Sequence, residues 1–219
     1  MFPIGDDNSR RSRFPFVTYG LIILNFLVFY LEMQGGMEFI FRWAFIPSRF
    51  VSDPIGDFST LFTSMFMHAG WAHILGNMLY LWIFGDNVED KFGHFKFFIF
   101  YIICGLAATA AQFAFTAGSE IPLLGASGAI AGVLGAYLLM FPRGQVYVLF
   151  LFRIVVMPAA LVLGLWIVLQ LFSTVGAIAR MADTGGVAYM AHVGGFVTGF
   201  VLTRFFRPKR TPPRYSSDI

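Results

Sequence analysis

The chain has 219 residues, of which 58% are hydrophobic and only 12% are charged, and its mean hydropathy is +0.73. A soluble domain of this size could not bury so much apolar surface, so the composition excludes a soluble protein and indicates a membrane protein. The formal charge of +3 does not indicate nucleic-acid binding, because the basic residues cluster at loops and chain ends, where they set membrane orientation.

Six apolar runs approach the roughly 20 residues that a helix needs to cross a bilayer. The fourth run is short because Pro142 ends it, so we expect its first residues to start below the membrane surface, after a loop that dips in. The first outer loop is too apolar for a solvated linker and is expected to lie partly in the interface plane. The runs cover residues 16–33, 61–84, 95–117, 126–140, 155–177 and 186–206.

Charge distribution orients these six spans. Most of the 15 Lys and Arg residues fall in segments on one side, whereas Arg42, Arg49 and Arg180 fall on the other. The positive-inside rule therefore predicts a multi-pass protein with cytosolic termini. With no transit peptide expected, a bacterial plasma membrane is favoured over the alternative of an organelle membrane. We expect a cytosolic tail over 1–14, one membrane domain over 15–206 and a disordered basic tail over 207–219.

The fourth run opens with GASGAIAG, in which a serine stands among small residues. Ser127, Ala131 and Gly135 recur every four residues and share one narrow helix face, which a second helix can approach closely. A serine in a membrane helix most often only bonds a backbone carbonyl or helps pack a helix pair. Whether Ser127 has a catalytic role therefore depends on the side chains of the helix that faces it.

The sixth run contains AHVGGFVTG and forms a second face of small residues. His192, Gly195 and Gly199 lie on it, at a helical spacing that brings the imidazole to the depth of Ser127. A histidine beside a serine can take its proton and make the hydroxyl a nucleophile. The two faces together predict a serine–histidine dyad within the membrane.

The second run supplies further polar groups in HAGWAHILGN. His73 and Asn77 are four residues apart and share a face, from which both could donate hydrogen bonds to an oxyanion, together with the backbone N–H of Ser127. His68 points elsewhere and is expected to connect loops. A metal site of His68, His73 and His192 is disfavoured, since their spacing fits no common closed zinc site, and no metal is expected.

Other polar residues are given no catalytic role. Glu89 and Asp90 lie at the inner end of the second span, on the opposite side from Ser127, and are expected to be solvated or to bridge loops. Gln170 in the fifth span is expected to make a packing contact. Because no span centre carries an Asp or Glu to orient His192, the predicted arrangement is a dyad and not a triad.

These motifs resemble those of the rhomboid family of intramembrane serine proteases. GASG matches the nucleophile motif with Ser127, AHVGGFVTG the base motif with His192, and HAGWAHILGN the second-span motif with His73 and Asn77 at the oxyanion site. The resemblance covers about residues 15 to 206. The close-packing positions of these motifs are Gly125, Gly128, Ala131, Gly195 and Gly199.

The resemblance implies an all-α fold, a six-transmembrane-helix bundle with a short fourth helix. It also implies an intramembrane serine endopeptidase that cleaves single-span membrane proteins within or near their transmembrane segments, without a cofactor. Substrate would enter by movement of the fifth span and the following loop RMADTGG, where Gly185 and Gly186 suit a mobile lid. Its partners would be transmembrane substrates and the lipid bilayer, and no nucleic acid.

Two positions depart from patterns seen in some members of the family. A Trp-Arg pair of the first loop is reversed here, as Arg42-Trp43. A Tyr that stacks on the catalytic histidine is replaced by Ala131, so another group must orient His192.

Two other functions are compatible with a polytopic membrane protein. An inactive relative could bind membrane clients without cleaving them, but such a protein would be expected to lack Ser127 or His192. A transporter would carry charged groups at the midplane and repeated broken helices, and the sequence has neither.

Overall fold

The computed structural model describes residues 2–9, 11–179 and 188–207, and most of these residues are helical. The helices in these ranges are α1 (Phe16–Trp43), α2 (Pro47–Ser52), α3 (Thr60–Thr63), α4 (Trp71–Phe92), α5 (His94–Thr116), α6 (Ser127–Met140), α7 (Ala159–Ala179) and α8 (Tyr189–Phe206). A 3-10 turn covers Ser64–Phe66, and the strands are β1 (Phe2–Asp6), β2 (Gln145–Phe150) and β3 (Arg153–Pro158).

Two of the described helices, α1 and α5, are long and apolar enough to cross a membrane by length and composition. Helix α6 and residues 159–173 of α7 are shorter apolar helices. Large apolar side chains face outward on several helices, among them Phe95 at 77% exposure and Phe172 at 73%. Such exposure suits a lipid solvent, and the count of six spans stays a prediction.

Helix α6 forms the centre of the bundle and packs against α4, α5, α7 and α8. All of its residues from Gly128 to Tyr137 are buried. It approaches α8 so closely that a Cβ atom added at Gly195 would overlap the carbonyl oxygen of Gly128, and one at Gly199 would overlap that of Gly132. Small residues therefore bring the two backbones into direct contact.

The expectation of an all-α fold is wrong in one region, because the chain also forms a three-stranded antiparallel sheet in the order β1-β2-β3. Phe2 pairs with Leu149 on one side of β2, and Tyr147 pairs with Val156 on the other. Residues 155–158, expected at the start of the fifth apolar helix, lie in β3, and helix α7 begins at Ala159. A short apolar run fits a strand or a buried helix equally well, so hydrophobicity alone misassigned it.

The boundaries of α1 and α4 also differ from those expected. Helix α1 continues to Trp43 through a break at Gly36, whose φ of 56° favours glycine. Helix α4 begins at Trp71 and not near residue 61, because α3 and the 3-10 turn occupy the preceding segment. Arg49 stabilises the segment between α1 and α4. It donates hydrogen bonds to the carbonyls of Phe41 and Ala44 and forms an ion pair with Asp57.

Glu89 joins the C-terminal part of α4 to the first turn of α1. Its carboxylate is fully buried and accepts hydrogen bonds from the backbone N–H groups of Val17 and Thr18, at 2.9 and 2.7 Å, and from the Thr18 hydroxyl. These N–H groups belong to the first turn of α1, so no carbonyl group of the same helix is available to accept their hydrogen bonds. Asp90 similarly accepts from the backbone of Ser12. Of the two alternatives expected for these acids, bridging is confirmed and solvation is wrong, because both side chains are buried.

A buried carboxyl connects β1 to the helices. Asp6 accepts hydrogen bonds from the Tyr137 hydroxyl at 2.6 Å and from the Asn87 amide at 2.8 Å, while its Oδ1 atom is buried without a partner among the described residues. Burial raises the pKa of Asp6 to about 7. The first strand is thus anchored through a group that is readily protonated.

Candidate active site

Ser127 is the first residue of α6, so the incoming loop decides where its side chain lies. The preceding Gly125 has a φ of 128°, in the region that favours glycine. A Cβ atom there would stand only 3.0 Å from Cε1 and 3.1 Å from Nε2 of His73. Gly125 thus lets the backbone turn into α6 directly against the ring of His73.

His192 meets Ser127 across the contact between α6 and α8. It lies in the first turn of α8, and its Nε2 atom is 2.9 Å from Ser127 Oγ. That distance is normal for a hydrogen bond. The predicted nucleophile and base are therefore adjacent, because the glycine contact of Gly128 with Gly195 lies beside them.

Helix α7 supplies two further contacts to His192. Gln170 Oε1 lies 2.8 Å from Nδ1, and the Trp166 ring centroid lies 5.9 Å from the imidazole centroid. The expectation that Gln170 is only a packing residue is wrong. Its spacing of four residues from Trp166 was the available signal, since it places an aromatic ring and an amide on one face.

Ala131 is buried in α6 and has no ring to stack on His192. Trp166 lies beside the imidazole instead, with the two ring planes 39° apart. An aromatic neighbour is therefore present but comes from α7, a helix distant from the nucleophile motif in the sequence. A motif search around Ser127 could not have found it.

The two polar residues expected at an oxyanion site lie on α4. The Nδ2 group of Asn77 is buried and has no hydrogen-bond partner in the described part of the chain. His73 Nδ1 accepts a long hydrogen bond of 3.4 Å from the N–H of Ala69. The neutral ring then carries its proton on Nε2, the atom beside Gly125.

His68 lies behind this pair. It is 1% exposed, its ring centroid is 5.1 Å from that of His73, and its backbone N–H donates to Glu32 at 2.9 Å. Among the residues that the structure describes, no group of three or more His, Cys, Asp or Glu side chains could hold a metal ion.

A cavity of about 20 Å³ reaches Ser127. This volume suffices for one water molecule. Ser64 and Thr109 are among its polar lining residues, and Gly128 and Ala191 close it on the side of the α6–α8 contact. The site thus combines a serine, a histidine, unused donors and room for water.

The loop RMADTGG, with Gly185 and Gly186, lies outside the described residues, as does the C-terminal tail after residue 207. The expectations of a mobile lid and of a disordered tail therefore stay predictions.

A helical bundle that sets a serine hydroxyl against a histidine ring nitrogen has the polar groups of a serine hydrolase. Residues 56–209 match the Rhomboid domain family. The chain belongs to the rhomboid family.

Several characterised relatives are similar to this chain. The Rhomboid protease GluP of Bacillus subtilis is 36% identical over 128 residues, which cover 57% of this chain and 24% of that protein. Rhomboid protein 1, mitochondrial, of Saccharomyces cerevisiae is 28% identical over 84% of this chain and 51% of its own length. The Rhomboid protease GlpG of Klebsiella pneumoniae is 28% identical over 90% of this chain and 70% of its own length. The chain thus spans about a quarter of the length of the first relative and about half of the length of the second.

Proposed function

We propose that this protein is an intramembrane serine endopeptidase. It cleaves single-span membrane proteins within or near their transmembrane segments. The observation that carries the proposal is the 2.9 Å contact between Ser127 Oγ and His192 Nε2. Membership in the rhomboid family and the names of GluP and GlpG as rhomboid proteases support it.

In the first step His192 Nε2 takes the proton of Ser127 Oγ as the oxygen attacks the scissile carbonyl carbon. The C–O bond forms, and the carbonyl π electrons move onto oxygen. A tetrahedral intermediate and an imidazolium ion result. The contact at 2.9 Å needs no further approach for this transfer.

Three donors are available for the oxyanion. The first-turn N–H of Ser127 has no intrahelical acceptor, and the buried Asn77 amide has no partner among the described residues. His73 adds an Nε2–H beside Gly125. Preorganised donors of this kind are worth about 3–4 kcal/mol each in serine proteases.

Collapse of the intermediate completes the cycle. The C–N bond breaks as His192 donates its proton to the leaving amine, which leaves an acyl ester on Ser127. Water then attacks the ester carbonyl carbon and gives a proton to His192. The ester C–O bond breaks, His192 returns that proton to Ser127 Oγ, and the acid product departs. The cavity beside Ser127 is large enough to hold that water.

The same proposal places the molecule in the membrane. Six spans, formed by α1 and α4 to α8, cross the plasma membrane with both termini cytosolic, and residues 15–206 form the protease domain. At 14 residues, α6 is about 21 Å long, whereas the hydrocarbon core is about 30 Å thick. Ser127 then lies below the outer surface, where substrate segments in the bilayer can reach it.

Cleavage of a model single-span substrate by the purified protein in liposomes tests the function. Wild type is expected to cleave, and Ser127→Ala and His192→Ala are expected to abolish cleavage. Ser52→Ala, a matched change of an exposed serine in α2, is expected to leave the rate unchanged. Cleavage that persists in Ser127→Ala overturns the proposal. Tight substrate binding by wild type without any cleavage would instead identify a client-binding relative.

A further inference from the structure

The imidazole of His192 is held on its far side by α7. Gln170 Oε1 accepts from Nδ1 at 2.8 Å, and Trp166 lies beside the ring at a centroid distance of 5.9 Å. We propose that Gln170 is a positioning residue, which holds His192 in the tautomer and orientation needed to activate Ser127. The inference deepens the protease function proposed above and rests on it.

The hydrogen bond to Gln170 determines which ring nitrogen carries the proton. An amide oxygen can only accept, so neutral His192 is protonated on Nδ1. Its Nε2 lone pair then points at the Ser127 hydroxyl, 2.9 Å away. The other tautomer would present an N–H to Ser127 and could not take its proton. Gln170 thus performs the orienting role that a buried Asp performs in a triad.

An amide suits this position because α7 borders lipid. Leu169 and Phe172, next to Gln170 in the sequence, are 55% and 73% exposed. A carboxylate in a membrane helix costs several kcal/mol, whereas an amide supplies a directional acceptor without a charge. A neutral acceptor stabilises the imidazolium less than a carboxylate does. We therefore expect a contribution of about 10- to 100-fold in rate, below the roughly 10⁴-fold of a triad Asp.

Trp166 completes the arrangement by joining α7 to α8. Besides approaching His192, its ring lies 6.1 Å from that of Phe196, which is one helical turn further along α8. Trp166 and Gln170 are themselves one turn apart, so α7 contacts α8 over two successive turns. The orientation of His192 consequently depends on α7 being seated on α8.

The kinetic test replaces the acceptor while keeping side-chain length, as in Gln170→Met. We expect kcat for substrate cleavage and the labelling rate of Ser127 by a fluorophosphonate to fall together by about 10- to 100-fold, with KM within about two-fold. The unfolding midpoint should fall only slightly, since the hydrogen bond that is lost belongs to a partly exposed side chain. Leu169→Met on the lipid side of α7 is the matched control and should match wild type. Unchanged kinetics in Gln170→Met overturn the inference.

Gln170→Glu separates positioning from mere packing. A carboxyl group retains an oxygen that can accept from Nδ1, so the labelling rate of Ser127 should stay well above that of Gln170→Met. A labelling rate as low as that of Gln170→Met contradicts the positioning role.

A spectroscopic readout makes the test independent of activity. Nitrogen-15 NMR of histidine-labelled protein in liposomes should show His192 protonated on Nδ1 in wild type and a mixture of tautomers in Gln170→Met. An inactive wild type with this tautomer change would refute the protease function and support the orienting contact. An active wild type whose tautomer is insensitive to Gln170→Met would refute only the orienting contact.

Discussion

The contact between α6 and α8 makes a sharp prediction for Gly195→Ala. The added methyl group would overlap the carbonyl oxygen of Gly128, which is backbone and cannot rotate away. Restoring van der Waals contact requires the helices to separate by about 1 Å. Alanine gains about 1 kcal/mol in helix propensity, whereas overpacking costs about 1–3 kcal/mol, so we expect a net loss of up to about 2 kcal/mol.

The same displacement should impair catalysis more than stability. Gly195 lies one turn from His192, and a misplacement of about 1 Å at a catalytic pair can cost about 100-fold in rate. Cleavage of the single-span substrate and reversible unfolding in mixed micelles measure the two effects. Gly20→Ala is the matched control, because nothing lies within 4 Å of the added Cβ atom there. It should stabilise the protein slightly and retain activity.

An equal response of Gly195→Ala and Gly20→Ala would refute the close approach of the two helices. It would also remove the reason why His192 can reach Ser127, since the carbonyl contact and the dyad share the same helical turn.

Three further predictions concern stability. Because burial raises the pKa of Asp6 to about 7, the folded state binds more protons than the unfolded state between about pH 4 and 7. The free energy of unfolding should therefore fall by up to about 4 kcal/mol as pH rises through this window, and Asp6→Asn should flatten this dependence of stability on pH. Glu89→Ala leaves buried N–H groups of α1 without an acceptor and should lower the free energy of unfolding by about 3 kcal/mol. The control Glu38→Ala, at an exposed position, should lower it by less than about 0.5 kcal/mol. Arg49→Lys loses the fork that binds two carbonyls and Asp57, and should cost about 1 kcal/mol and speed proteolysis of residues 44–60.

Each of these has a contradicting result. A stability that rises between pH 4 and 7 in wild type but not in Asp6→Asn would reverse the assigned pKa direction. Equal losses in the two glutamate variants would show that Glu89 does not anchor α1. Unchanged proteolysis in Arg49→Lys would show that the loop is held by other contacts.

The positions of Ser127 and His192 could be anticipated from sequence because small residues at helical spacing leave a visible pattern. Ser127 begins a stripe in one apolar run, and His192 lies among glycines in another. A helix face of small residues allows two backbones to come into contact only if the facing helix also presents small residues. The pattern therefore predicted which helices meet, and with them which side chains.

The role of α7 could not be anticipated in this way. Trp166 and Gln170 share one face of α7, but the rest of the run is apolar on all sides, so the sequence does not show that this face turns toward α8. An amide in a membrane helix finds partners by rotation of the whole helix, which depends on tertiary packing. The small sheet was not predicted for a related reason. Ile154, Val155 and Val156 are compatible with a strand and with a membrane helix equally well.

The central claim is that Ser127 is a nucleophile activated by His192. Reaction of the protein in liposomes with a fluorophosphonate, followed by peptide mass mapping, tests it most directly. The account predicts one adduct, on Ser127, that is lost in His192→Ala while the unfolding midpoint stays close to that of wild type. An adduct that forms equally well in His192→Ala, or none on Ser127 in a wild-type protein that cleaves substrate, would contradict it.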